Sequence, residues 1–100
     1  MGTVYTSGTW VAKAGREDEF IAAWQELAEW TKSEVPGAVW ATLLRNLDDP
    51  RRFVSFGPWD SMDAVAAWRA MPEFGERVAG IRDLLESFEP AAFEAVVEVS

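Results

Sequence analysis

The side chains able to do chemistry in this sequence are tryptophans rather than the residues that usually carry it. Six indoles, Trp10, Trp24, Trp30, Trp40, Trp59 and Trp68, stand beside six Phe in 100 residues, while His and Cys are absent. Without Cys there is no disulfide, thiol nucleophile or thiolate metal site. Without His there is no imidazole ligand, no His-based triad and no ordinary proton shuttle at neutral pH. Carboxylates are the metal ligands that remain. Asp48-Asp49 lies in a turn, and Glu17-Asp18-Glu19, Asp60 and Asp63 lie at helix starts. Acidic residues are favoured at such places as caps and solvated turn formers, so no metal site is expected. Gly75 and Gly80 fall inside a helical pattern, without the strand or the spacing of a phosphate-binding loop. Arg45, Arg69 and Arg82 can each anchor an acidic substrate, although surface ion pairing is their commoner use.

Twelve large aromatic rings of Trp and Phe are more than a lone 100-residue domain buries with ease. The usual outlets are a partner subunit or a ligand cavity lined by the rings. Nine basic against seventeen acidic residues give a net charge of −8, with no basic run longer than Arg51-Arg52, so neither nucleic acid nor an anionic membrane is an expected partner. No run of eighteen apolar residues and no basic, apolar N-terminal segment occurs, which predicts neither a membrane span nor a signal peptide and a cytoplasmic protein.

The elements that must position these side chains follow from local patterns. Val4 to Ala12 is rich in Thr, Tyr, Trp and Val and reads as a strand. After Gly15, acidic Glu17-Asp18-Glu19 opens an amphipathic helix with Phe20, Trp24, Leu27 and Thr31 at spacings of four, three and four, ended by Pro36-Gly37. Ala38 to Leu47 and Arg51 to Trp59 read as two strands of a hairpin around Asn46-Leu47-Asp48-Asp49-Pro50. Asp60 or Ser61 caps a helix with an Ala64, Val65, Trp68 and Met71 stripe, and Pro72 opens a fresh helical turn. Phe74, Val78, Ile81, Leu85 and Phe88 predict a helix running up to Pro90, and Ala91 to Val99 a closing strand.

The expected fold is therefore one α+β domain over residues 1–100, ferredoxin-like β-α-β-β-α-β with a four-stranded antiparallel sheet. Helices on one face leave the other face bare. Val54 and Phe56 alternate with Phe53, Ser55, Gly57 and Trp59, so both faces carry apolar side chains. Two sheets packed face to face would cover them, which predicts a homodimer.

The stretch Phe53-Val54-Ser55-Phe56-Gly57-Pro58-Trp59-Asp60-Ser61, with Ala64-Val65-Ala66-Ala67-Trp68-Arg69 and Pro72-Glu73-Phe74 after it, resembles the core signature of the antibiotic-biosynthesis monooxygenase family. Gly15 before an acidic helix start and Pro36-Gly37 before the second strand resemble it too. The resemblance implies a dimeric α+β barrel with a ligand pocket between helices and sheet. The family includes enzymes that oxygenate phenolic polyketides with no metal or flavin as well as haem-degrading enzymes; the first kind is the expected match, so no cofactor is expected. Trp59 matches the strand-end tryptophan of the family pattern. Ser55 falls where cofactor-free oxygenases can carry Asn, and Val65 where they can carry Tyr. In the haem-degrading branch the iron-binding His and the Asn beside the oxygen fall at Val78 and about Gly8, and the aromatic place at Trp68, so haem has no axial ligand here.

On that resemblance, a substrate that forms its own stabilised carbanion can pass an electron to oxygen directly, and the protein need only bind, deprotonate and exclude water. Trp59 and Ser55 are the expected catalytic residues, the Trp59 N–H as a donor to developing oxygen charge. Phe20, Trp24 and Trp68 are the expected binding residues for a hydrophobic aromatic small molecule. Trp30 and Trp40 are expected at the rim or in dimer contacts. The alternative is a homodimer of the same fold that binds a small molecule or supports a pathway enzyme without catalysing turnover.

Overall fold

The computed structural model describes residues 2–100; Met1 lies outside the described residues. Seven elements follow one another: β1 Val4–Ala12, α1 Glu17–Glu34, β2 Thr42–Arg45, β3 Arg52–Trp59, α2 Met62–Ala70, α3 Pro72–Arg82 and β4 Leu85–Glu94. The four strands form one antiparallel sheet in the order β2-β3-β1-β4, with the helices against one face. This is the ferredoxin-like arrangement, with the second helical segment divided into α2 and α3 at Met71-Pro72.

Local chemistry explains the element starts. Glu17 accepts the Gly15 N–H at 2.7 Å, and Arg16 donates to both Glu19 oxygens at 2.7 and 2.9 Å, which brings α1 into register. Those hydrogen bonds hold the Glu19 carboxyl below its ordinary pKa. Of the two expected caps for α2, Ser61 is the one used, its Oγ accepting the Ala64 N–H at 3.1 Å. Pro72 occupies the first turn of α3, where its missing N–H has no partner to lose. Past α1 the chain reverses through Gly37, whose φ of 94° is open to glycine at little cost.

One face of the sheet alternates into the core. Trp10 and Ala12 of β1 and Phe53 of β3 pack with Phe20 and Leu27 of α1 and with Val78 and Ile81 of α3. A second, smaller cluster joins Trp59, Val65 and Val35 at the other end. The two clusters share Trp30, which packs against both.

Two expectations about the chain's second half are corrected. The α3 helix ends at Arg82 instead of running to Pro90, and the closing strand is Leu85–Glu94 instead of Ala91 to Val99. Leu85 and Phe88 continue the helical spacing of Phe74, Val78 and Ile81, but long-range pairing overrides it: β4 lies antiparallel to β1, setting Phe88 opposite Trp10 and Pro90 opposite Gly8. Pro90 fits because β4 is an edge strand whose outer side needs no ladder partner. Residues 96–100 follow without regular structure, leaving Val96, Val97 and Val99 exposed. The second strand is also shorter than expected, Thr42–Arg45 against Ala38 to Leu47, although Ala38 still makes an isolated bridge to Trp59.

Candidate functional site

A cavity of about 610 Å³ lies between the helices and the core-facing side of the sheet. Its size falls within the range of small-molecule pockets. Aromatic rings form both ends. At one end Trp59 tilts against Trp68 with centroids 4.8 Å apart, and Trp68 meets Phe74 edge-on at 4.6 Å. At the other, Trp10 stacks on Phe88 at 4.0 Å with only 13° between the planes. Trp24 and Leu27 of α1 face the sheet across the space.

Polar groups are few inside. Ser55, 7% exposed, accepts the Trp10 indole N–H at 2.9 Å. Thr31, 8% exposed, accepts that of Trp68 at 3.0 Å, and Thr6 accepts that of Trp59 at 2.9 Å. An indole has only a donor to offer, so each buried ring needs an acceptor of this kind to avoid an orphaned N–H. The charged residues that reach the lining, Glu29, Lys32 and Arg69, are all exposed. Among the described residues no three carboxylates gather as a metal ligand set.

The backbone makes room for the Trp10 ring. A Cβ on Gly8 would lie 2.7 to 2.9 Å from the Trp10 indole, so glycine two residues earlier on the same face lets the ring lie along the strand and reach Ser55.

Four of the five residues expected at the site, Trp59, Ser55, Trp24 and Trp68, do line this one cavity. Phe20 does not. It is fully buried behind the wall, tilted against Trp10 at 5.4 Å and Phe53 at 5.0 Å, because its place in the first turn of α1 points it at the core end of the sheet. Phe20→Leu is therefore expected to lower stability by about 1–2 kcal/mol through lost packing. It should change the affinity of an aromatic ligand less than twofold; denaturant unfolding and fluorescence titration measure the two effects separately.

Trp40 stands half-exposed at the cavity edge, edge-on to Tyr5 and Phe56, whereas Trp30 packs inward under the Arg77 guanidinium. Val65, at the place where the family pattern can hold Tyr, is fully buried beside Trp59. Val78, at the place of the haem-binding His, is a buried aliphatic patch of the cavity wall with no lone pair to give. Arg45 and Arg82 lie over the rings of Phe53 and Phe88 at 5.1 and 5.4 Å, which leaves Arg69 as the one of the three candidate arginines on the cavity lining.

Sequence reasoning did not place Trp10, Thr6, Thr31, Phe74 or Phe88 at the site. For Trp10 a signal existed, since Gly8, Trp10 and Ala12 share one strand face and glycine beside a large ring marks a close approach. Thr31 shares the buried stripe of α1 with Trp24 and Leu27, which signals its face but not its indole partner, and for Thr6 no local signal exists.

The sequence profile of the antibiotic biosynthesis monooxygenase family matches residues 3–80. Among solved structures, the chain is similar to SnoaB, a cofactor-independent oxygenase from Streptomyces nogalater, at 25% identity and a TM-score of 0.89, over 99% of this chain and 98% of that chain. A single-site mutant of the same protein superposes with a TM-score of 0.90 at the same identity and coverage. A Deinococcus radiodurans protein assigned to the antibiotic biosynthesis monooxygenases follows at 20% identity and a TM-score of 0.85, covering 97% of this chain and 96% of that one. No curated protein sequence matches the chain.

Proposed function

The chain belongs to the antibiotic biosynthesis monooxygenase family, and on that premise we propose that it is a homodimeric, cofactor-independent monooxygenase of an aromatic or polyketide-like small molecule, working in the cytoplasm. The observation that carries this reading is the composition of the cavity: eight indole or phenyl rings and five side-chain hydroxyls line about 610 Å³, with every charged lining residue at the exposed margin. The likeness to a cofactor-independent oxygenase at 25% identity over nearly the full length of both chains supports it.

Such a cavity suits a substrate that supplies its own electrons. An anthrone or phenol that loses a proton becomes an electron-rich anion, which passes one electron to dioxygen. The resulting pair then combines, forming the new C–O bond, and one oxygen atom leaves as water while the other stays on the ring as a carbonyl. In this scheme the protein stacks the rings, holds the oxygen-bearing edge near Ser55 and Trp59, and keeps water from the charged intermediates. The proton departs toward the mouth, because no carboxylate or amine among the lining residues is buried.

The missing interior base also favours a second reading, a dimer of this fold that binds an aromatic molecule without turning it over. Oxygen uptake separates the two. In metal-chelated, flavin-free buffer with a panel of anthrones and naphthols, the monooxygenase reading expects uptake of one dioxygen per substrate and the matching quinone as product. Uptake that strictly requires added iron, copper or flavin would overturn the cofactor-free mechanism. Tight binding of a panel compound with uptake no faster than in buffer would assign the chain to the binding class.

A further inference from the structure

The three indoles that reach the cavity with a bonded N–H all end on a hydroxyl, and the hydroxyls come from three different elements: Thr6 from β1, Thr31 from α1 and Ser55 from β3. A hydroxyl oxygen that accepts from an indole has filled one lone pair and keeps its proton to give. Among the described residues none of the three donates that proton to a protein acceptor, while all three line the same cavity. Accepting a hydrogen bond also polarises the O–H, which makes it a better donor to the next group in the chain. The indole, too large to turn freely inside the packed aromatic wall, holds the oxygen in place. Ordinary packing does not require this. A Trp whose N–H only needed an acceptor could use any backbone carbonyl, yet each of these rings meets a side chain that carries one more proton toward the same space.

We infer that Thr6 and Thr31, each fixed by its indole and acting with Ser55, are specificity-determining residues that donate to the oxygen atoms of the ligand. The site then takes flat ring systems bearing carbonyl or phenolic oxygens and discriminates against the bare hydrocarbon of the same shape. A bare hydrocarbon would leave these donors buried and unsatisfied, which is the costly outcome. This rests on the reading of the cavity as an aromatic-ligand site, but not on turnover.

The test is a pair of ligands with one skeleton, anthraquinone and anthracene, titrated against the full chain by quenching of tryptophan fluorescence. Anthraquinone has no oxidisable ring carbon, so its binding is read independently of any oxygenase activity. The wild-type protein is expected to prefer anthraquinone. Thr31→Val and Thr6→Val, which keep the side-chain shape and remove the hydroxyl, should each weaken anthraquinone binding roughly 3- to 10-fold. Anthracene binding should move less than twofold. Thr31→Ser and Thr6→Ser, which keep the hydroxyl, should restore the preference and serve where a Val variant folds poorly. Equal losses for both ligands would mean that the hydroxyls only hold the indoles and would overturn the inference. No preference in the wild-type protein, or no change in either Val variant, would overturn it as well. Selective binding without oxygen uptake on the anthrone panel would sink the monooxygenase reading and leave this one standing.

Discussion

Trp59→Phe is expected to leave the fold intact while lowering oxygen uptake on an anthrone substrate by about ten- to a thousandfold. Trp59 is buried at the end of β3, packed on Val65 and Val35 and tilted against Trp68 at 4.8 Å. Phenylalanine keeps a ring for those contacts. It removes the indole N–H, which, contrary to the expectation from sequence, is not free for the substrate but donates to Thr6 Oγ1 at 2.9 Å, and so releases the hydroxyl that this N–H orients. If charge developing on oxygen is stabilised through that chain of hydrogen bonds, the loss falls on turnover more than on binding. The measurement is kcat and KM from oxygen consumption, beside an unfolding curve for the same variant. A fall in kcat with KM nearly unchanged is the expected pattern, because the interaction strengthens as charge develops. Full activity in the variant would remove Trp59 from the mechanism and leave it a packing residue.

Val54→Asp is expected to convert the proposed homodimer to a monomer, raising the dissociation constant at least about a hundredfold. The face of the sheet opposite the helices carries Val54 at 43%, Leu44 at 49% and Phe93 at 58% exposed, with Tyr5 and Phe56 meeting Trp40 above them. A second copy packed on this face would bury Val54, and a carboxylate there would have to give up its water without a partner. Because Val54 is half-exposed in the single chain, the substitution spares the subunit's own core, which Phe56→Asp would not do as cleanly given the contact of Phe56 with Trp40 at 5.8 Å. Sedimentation at micromolar concentration should give twice the 11.2 kDa chain mass for the wild-type protein and the chain mass for the variant. A wild-type monomer that stays folded on dilution would end the dimer proposal. The dimer bears on the site as well, since Trp40 and Phe56 belong to both the open face and the cavity edge.

Wherever a short-range pattern specified an element, it was legible in the amino-acid sequence. The four-three-four spacing of Phe20, Trp24, Leu27 and Thr31 defines the buried side of α1, and Pro36-Gly37 its end. Alternation places Phe53, Ser55, Gly57 and Trp59 on one face of β3, and the family signature across 53–74 carried the fold with it. The boundary between α3 and β4 was not legible, because Leu85 and Phe88 satisfy a helical period as well as a strand. Only the ladder with β1, formed across more than seventy residues of chain between Trp10 and Phe88, chooses between them. The same reason divides the site. Trp24 and Trp68 were recognisable as large rings on faces that had to meet, and Trp59 and Ser55 through the family resemblance, whereas Phe20, on the same helix face as Trp24, ends in the core because it sits one turn earlier, in the first turn of α1, against Trp10 and Phe53. The hydroxyl partners of the indoles lie 45, 53 and 37 residues from them along the chain. A sequence period records which face a side chain takes, and it carries no information about which atom will stand opposite. The pairing of each indole N–H with one particular hydroxyl was decided by the tertiary structure alone, when the sheet closed its register and α1 settled across it.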